Sequence, residues 1–140
     1  SGYGYDMQMN GNVICRDFDV ESGLALNSES ELKLENGFAA FTKDFFDNGA
    51  YVIENNQTHE VSLRDPEGKN YLNVYFPEAP LFGLWSAEKK NAPYAAIEPW
   101  FGRCDKEDFN GSLEEREWGH ALAQGACFQA AYTIEIAGED

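Results

Sequence analysis

The chain has 140 residues, of which 43% are hydrophobic and 14% aromatic, and it sets 10 Lys plus Arg against 25 Asp plus Glu for a formal charge of -15. This length favours one domain, spanning residues 1–140, and such a domain buries roughly 68% of its unfolded surface, enough for a core without disulfide staples. The acidic balance excludes phosphate backbones and anionic membrane surfaces as partners, and it argues against a highly anionic substrate unless a local basic cluster overrides the field.

Alternation with a period of two dominates the chain, and helical periodicity is nearly absent. The opening SGYGYDMQMN carries no initiator methionine, as in a processed product or part of a longer protein, and Tyr5, Met7 and Met9 already alternate with polar residues. NVICRDF at 12–18 and ELKLE at 31–35 are expected strands, with ESGLALNSES at 21–30 as the turn-rich link between them. Thr42 is placed to cap a helical turn over FTKDFFDN, stopped by Gly49. The clearest hairpin is HEVSLR at 59–64, the turn DPEG and NYLNVYF at 70–76, with proline and glycine where a type I turn wants them.

Two more continuous apolar segments follow, LFGLWS at 81–86 and PYAAIEPW at 93–100. Ser112 and Glu115 form a capping-box pattern in SLEEREWG, closed by Gly119. The acidic stretch 104–117 reads as a solvated loop that could fold over a pocket mouth. CFQAAYTIEI at 127–136 alternates so that Phe128, Ala130, Tyr132, Ile134 and Ile136 would share one face. Seven or eight short strands with turns between them indicate an all-β fold, an antiparallel β-sandwich.

Cys15, Cys104 and Cys127 are odd in number, widely spaced and without a CxxC pair, so they read as free thiols of a cytoplasmic protein. His59 and His120 sit at no ligand spacing to them, and no metal site is expected. No apolar run approaches the roughly 20 residues of a membrane-spanning helix, and no signal peptide is visible. Nucleophilic catalysis lacks a motif, since neither GxSxG nor a glycine-rich phosphate loop is present.

What remains is carboxylate chemistry, and one carboxylate stands out. Glu98 ends the apolar run APYAAI and is followed by Pro99, Trp100 and Phe101. A carboxylate lodged there is either a paired strand-end acid or a desolvated general base, because loss of hydration favours proton uptake. Trp85 and Trp100 pack in the core or wall a pocket, where their rings would suit the C–H faces of a sugar. Trp118 is expected to act as a local staple.

The order FTKDFFDNGAYVI, VSL, hairpin, FPEAPLFGLWS, AAIEPWFG and GACFQAAYTIEI resembles the C-terminal half of the aldose 1-epimerase (galactose mutarotase-like) family, in particular its bacterial sugar-epimerase-like branch. The likeness covers residues 38–137, and IEPW with GLW upstream is its most specific part. It implies a large antiparallel β-sandwich, a free aldose as ligand and no cofactor. It further implies anomer interconversion by a glutamate base and a histidine acid, with Glu98 as the base and Trp85 and Trp100 lining the sugar cleft.

The family's catalytic histidines lie in an N-terminal half upstream of everything here, and neither His59 nor His120 matches them. Its cleft aspartate is replaced by Gly49, with Asp47 two residues earlier as the candidate sugar ligand. An acid–base catalyst without its acid forfeits about 10²–10⁴ in rate, so weak turnover is expected of this chain alone. The missing half or another copy of the chain is the implied protein partner. The alternative is a carbohydrate-binding sandwich without turnover.

Overall fold

The computed structural model describes residues 2–137. It is an all-β sandwich of two five-stranded antiparallel sheets, with no α-helix among the described residues. The strands are β1 (Gly4–Asp6), β2 (Val13–Phe18), β3 (Ala25–Leu32), β4 (Phe38–Ala40), β5 (Tyr51–Ile53), β6 (Glu60–Arg64), β7 (Asn70–Tyr75), β8 (Leu81–Trp85), β9 (Ala96–Trp100) and β10 (Thr133–Ile136). One sheet runs β10-β7-β6-β1-β4 and the other β3-β2-β5-β8-β9.

The period of two decides which residues meet between the sheets. In the second sheet Cys15, Ile53 and Phe82 stand in register and face the first sheet, as do Leu84 and Ile97. From the first sheet Tyr5, Val61, Leu63 and Val74 close against them, with Met7 and Phe76 from adjoining loops. The outer face of the first sheet is polar: Glu135, Asn73, Ser62 and Asp6 form one row, joined by Ser62 Oγ to Asn73 Oδ1 at 2.6 Å and Asn73 Nδ2 to Glu135 Oε2 at 3.1 Å.

The expected hairpin is present, with Gly68 N–H donating to Asp65 O at 3.0 Å across the turn and Gly68 at φ +87°. Three expectations are corrected. The segment 21–30 is not all turn, because Ala25–Leu32 is a strand and ELKLE only contributes its end. β3 is an edge strand whose residues 27–31 are all exposed, so its polar NSESE hides the pattern that marks a half-buried strand.

The stretch 42–49 makes successive four-residue turns instead of a helix, with Phe45 N–H to Thr42 O, Asp47 N–H to Asp44 O and Gly49 N–H to Phe46 O. Here Phe41, Phe45 and Phe46 pack around Tyr5 with ring centroids 4.8–6.3 Å away, and this aromatic cluster overrides helix propensity. The second expected turn is a single 3-10 turn, Leu113–Glu115, where the Glu115 carboxylate accepts from Ser112 N–H at 2.7 Å.

The last strand is shorter than its alternation suggests. Only Thr133–Ile136 joins the sheet, and residues 127–132 are exposed and irregular. Ile134 and Ile136 pair with Val74 and Leu72, yet remain 55% and 78% exposed because β10 overhangs the sandwich at an edge.

Gly4 has no room for a side chain: a Cβ there would lie 2.2 Å from Ala39 O and 2.6 Å from the Phe38 ring. Gly4→Ala must therefore push β1 from β4, at a cost of about 1–3 kcal/mol or more in chemical denaturation. The thiols differ as sharply. Burial, with the Asp17 charge second, pushes Cys15 from its ordinary 9.0 up to about 12, whereas Cys127 is exposed. A thiol reagent should label Cys127 in the native protein and reach Cys15 only on unfolding. Because the Cys15 value is raised, its contribution to stability holds below about pH 9 and is lost as the pH rises toward 12.

Candidate functional site on the outer face of the second sheet

The register of the second sheet builds one continuous row. Glu29, Arg16, Val52, Gly83 and Glu98 stand opposite one another across β3, β2, β5, β8 and β9. Paired residues share a face, so this row, and with it Trp85 and Trp100, points away from the core. Glu98 is half-buried there. Its Oε2 accepts the Trp100 indole N–H at 3.2 Å.

Gly83 makes that contact possible. A Cβ on it would lie 2.9 Å from the Trp100 ring and 3.4 Å from Glu98 Oε2, so the missing side chain is the space over which indole and carboxylate sit. Trp85 shares this face opposite Ala96, with its ring 5.9 Å from that of Tyr94.

β9 is an edge strand with β8 as its ladder neighbour, and it is also pinned from the other sheet. The buried Tyr5 hydroxyl donates to Ala96 O at 2.7 Å, two residues before Glu98. Burial, and after it the Glu98 charge, raises the Tyr5 pKa far above the usual phenol range. Tyr5 is thus a neutral donor at neutral pH.

The floor beside Trp100 is an ion-pair network. Arg103, with its side chain 1% exposed, bonds the buried Glu54 through Nε and the half-exposed Glu117 through Nη2. Arg16 Nε lies 3.4 Å from the same Glu54, and its Nη2 is 2.8 Å from Glu29. Its Nη1 donates to the carbonyls of Leu26, Asn27 and Ser28. The hydrogen bond from Lys106, and after it that from Arg103, holds Glu117 below the usual carboxylate range. That contribution is present at neutral pH and is lost as the pH falls through the lowered value.

An open groove of about 1070 Å³ lies over this network, walled by Phe18, Tyr51, Trp100, Arg16, Arg103 and Glu88 among others. Both arginines are already committed to carboxylates, so the groove offers aromatic rings and carboxylates to a ligand more than free positive charge.

Of the residues singled out from the sequence, Glu98, Trp85 and Trp100 share one face, and Trp100 lines the groove. Asp47 does not join them; it lines a separate cavity. His59 Nδ1 lies 3.0 Å from Phe76 O, and His120 Nε2 meets Phe101 O, so each is engaged with a backbone carbonyl. Gly83, Glu54 and Arg103 were not singled out from the sequence. The latter two had the same signal as Glu98, since Glu54 ends AYVI and Arg103 follows PWFG.

Two solved structures carry the same arrangement of strands. A galactose mutarotase related enzyme from Lactobacillus acidophilus matches with a TM-score of 0.83 and 28% identity, over 98% of this chain and 45% of that one. The fold is galactose mutarotase-like. A galactose mutarotase-like protein from Lactobacillus casei matches with a TM-score of 0.82 and 20% identity, over 97% of this chain and 47% of its own. The chain spans about half the length of these mutarotase-like structures, as expected of a C-terminal half. No family model matches the chain, and no curated protein matches it.

Removing Arg103 should test the network under the groove. Arg103→Ala leaves Glu54 buried with only the longer Arg16 contact, and about 3 kcal/mol of stability should be lost. Glu117→Gln, on the half-exposed side, should cost no more than about 1 kcal/mol in the same denaturation series.

Proposed function

We propose that this chain is the base-bearing half of an aldose 1-epimerase-like protein that interconverts the α and β anomers of a free aldose. The observation that carries this reading is the Glu98 carboxylate held beside Trp100 over the bare Gly83, on the outer face of a mutarotase-like sandwich. In that geometry Glu98 accepts the proton of the anomeric hydroxyl while an acid protonates the ring oxygen. The C1–O5 bond breaks as O1 forms the aldehyde, rotation about C1–C2 exposes the other face, and reversal of the proton transfers closes the ring. Trp100, and Trp85 on the same face, offer π surfaces to the sugar's C–H faces. The reaction needs no cofactor.

The proton donor is the missing part. Among the described residues, neither His59 nor His120 forms an ion pair with Glu98. In this reading the acid comes from a complementary half or a second copy of the chain. The same observation favours a second reading, in which the chain holds an aldose without turning it over.

Anomer exchange of glucose and galactose, followed by NMR, separates the readings. The parent chain should exceed the buffer rate, and Glu98→Gln should return it to that rate, a loss of up to about 10²-fold for one general base. Equal rates in parent and variant would remove Glu98 from the chemistry. Saturable sugar shifts without acceleration in either protein would select the binding reading.

A further inference from the structure

The cavity that takes Asp47 is distinct from the groove beside Glu98, shares none of its lining residues, and measures about 720 Å³. Three partly exposed tyrosines border it: Tyr3 at 44%, Tyr71 at 38% and Tyr94 at 50% exposure. Tyr3 and Tyr71 meet edge to face with centroids 6.3 Å apart. Single exposed aromatics are ordinary, but several around one cavity of ligand size form a binding wall.

Its charge runs against the rest of the molecule. The chain is at -15, yet this lining carries Lys43 and Lys89 against the single acid Asp47. Arg16, Arg64, Arg103, Lys106 and Arg116 all stand in ion pairs. Among the described residues, neither Lys43 nor Lys89 has a carboxylate within 4.0 Å. Here is a local basic spot in a strongly acidic chain, and it faces a cavity.

We propose that this cavity is a second binding site, for a monosaccharide bearing one carboxylate or one phosphate. The tyrosine rings take the sugar's C–H face, Asp47 accepts from its hydroxyls, and Lys43 and Lys89 meet the anion. Two ammonium groups balance one such group and fall short of a polyphosphate, so a nucleoside triphosphate does not fit. The site goes beyond the proposed anomer chemistry and does not depend on Glu98.

The test is a titration of the chain with glucose, glucuronate, glucose 6-phosphate and inorganic phosphate, read from tyrosine ring resonances and by calorimetry. Saturable shifts of Tyr3, Tyr71 and Tyr94 with glucuronate or glucose 6-phosphate are expected, and the better ligand identifies the anion. Glucose should leave the Tyr3 and Tyr71 signals in place. The double variant Lys43→Ala/Lys89→Ala should weaken binding by about tenfold or more, the worth of one charge-assisted hydrogen bond. Raising salt from about 50 mM to about 0.5 M should weaken the parent as well.

Glu98→Gln should bind as the parent does, which keeps this result independent of the exchange experiment. The proposal falls if neither anionic sugar saturates, if the double variant binds equally well, or if inorganic phosphate binds as tightly as the sugars.

Discussion

The site hangs on the ladder between β8 and β9. β9 is an edge strand, and its five registered pairs with β8 decide which of its side chains face out. A slip of one residue would turn Glu98 and Trp100 into the core and expose Ile97 and Pro99. The inner row of Cys15, Ile53, Phe82 and Pro99 resists that slip, because it would exchange apolar contacts for a buried carboxylate. The hydroxyl of Tyr5, reaching Ala96 from the opposite sheet, fixes the same strand a second time.

Gly83 belongs to this ladder through the side chain it lacks. Its backbone is not in the left-handed region, so conformational freedom is not what glycine supplies here. The position opposite Glu98 has to be empty for the Trp100 indole to lie against β8 and for its N–H to reach the carboxylate. The groove floor next to it is held by charge: Arg103 and Arg16 share Glu54, and the guanidinium groups are satisfied there and by backbone carbonyls. Paired in this way, the arginines shape the groove more than they attract anions. At the other cavity, by contrast, Lys43 and Lys89 have no carboxylate within 4.0 Å among the described residues.

Much of the fold was legible because alternation has an energetic cause. The 59–76 hairpin and the sandwich class followed from apolar residues at every second position with turn residues between them, and the strands expected at 81–86 and 93–100, observed at Leu81–Trp85 and Ala96–Trp100, followed from more continuous apolar runs. The failures have causes as definite. β3 is polar on both faces because it is an edge, and FTKDFFDN forms turns because its phenylalanines pack on Tyr5. Ile134 and Ile136 alternate as a covered strand would, yet they overhang the sandwich edge.

The sequence by itself determined the all-β class, the unusual placing of Glu98 at the end of an apolar run, and the likeness to a mutarotase-like half. These are properties of neighbours along the chain, where side-chain chemistry and a period of two are enough. Only the tertiary structure decided which distant residues became partners. Gly83 under Trp100, Tyr5 on Ala96, Arg103 on Glu54 and Asp47 in a cavity of its own each join segments that strand register and sheet packing bring together. No local pattern encodes those distances.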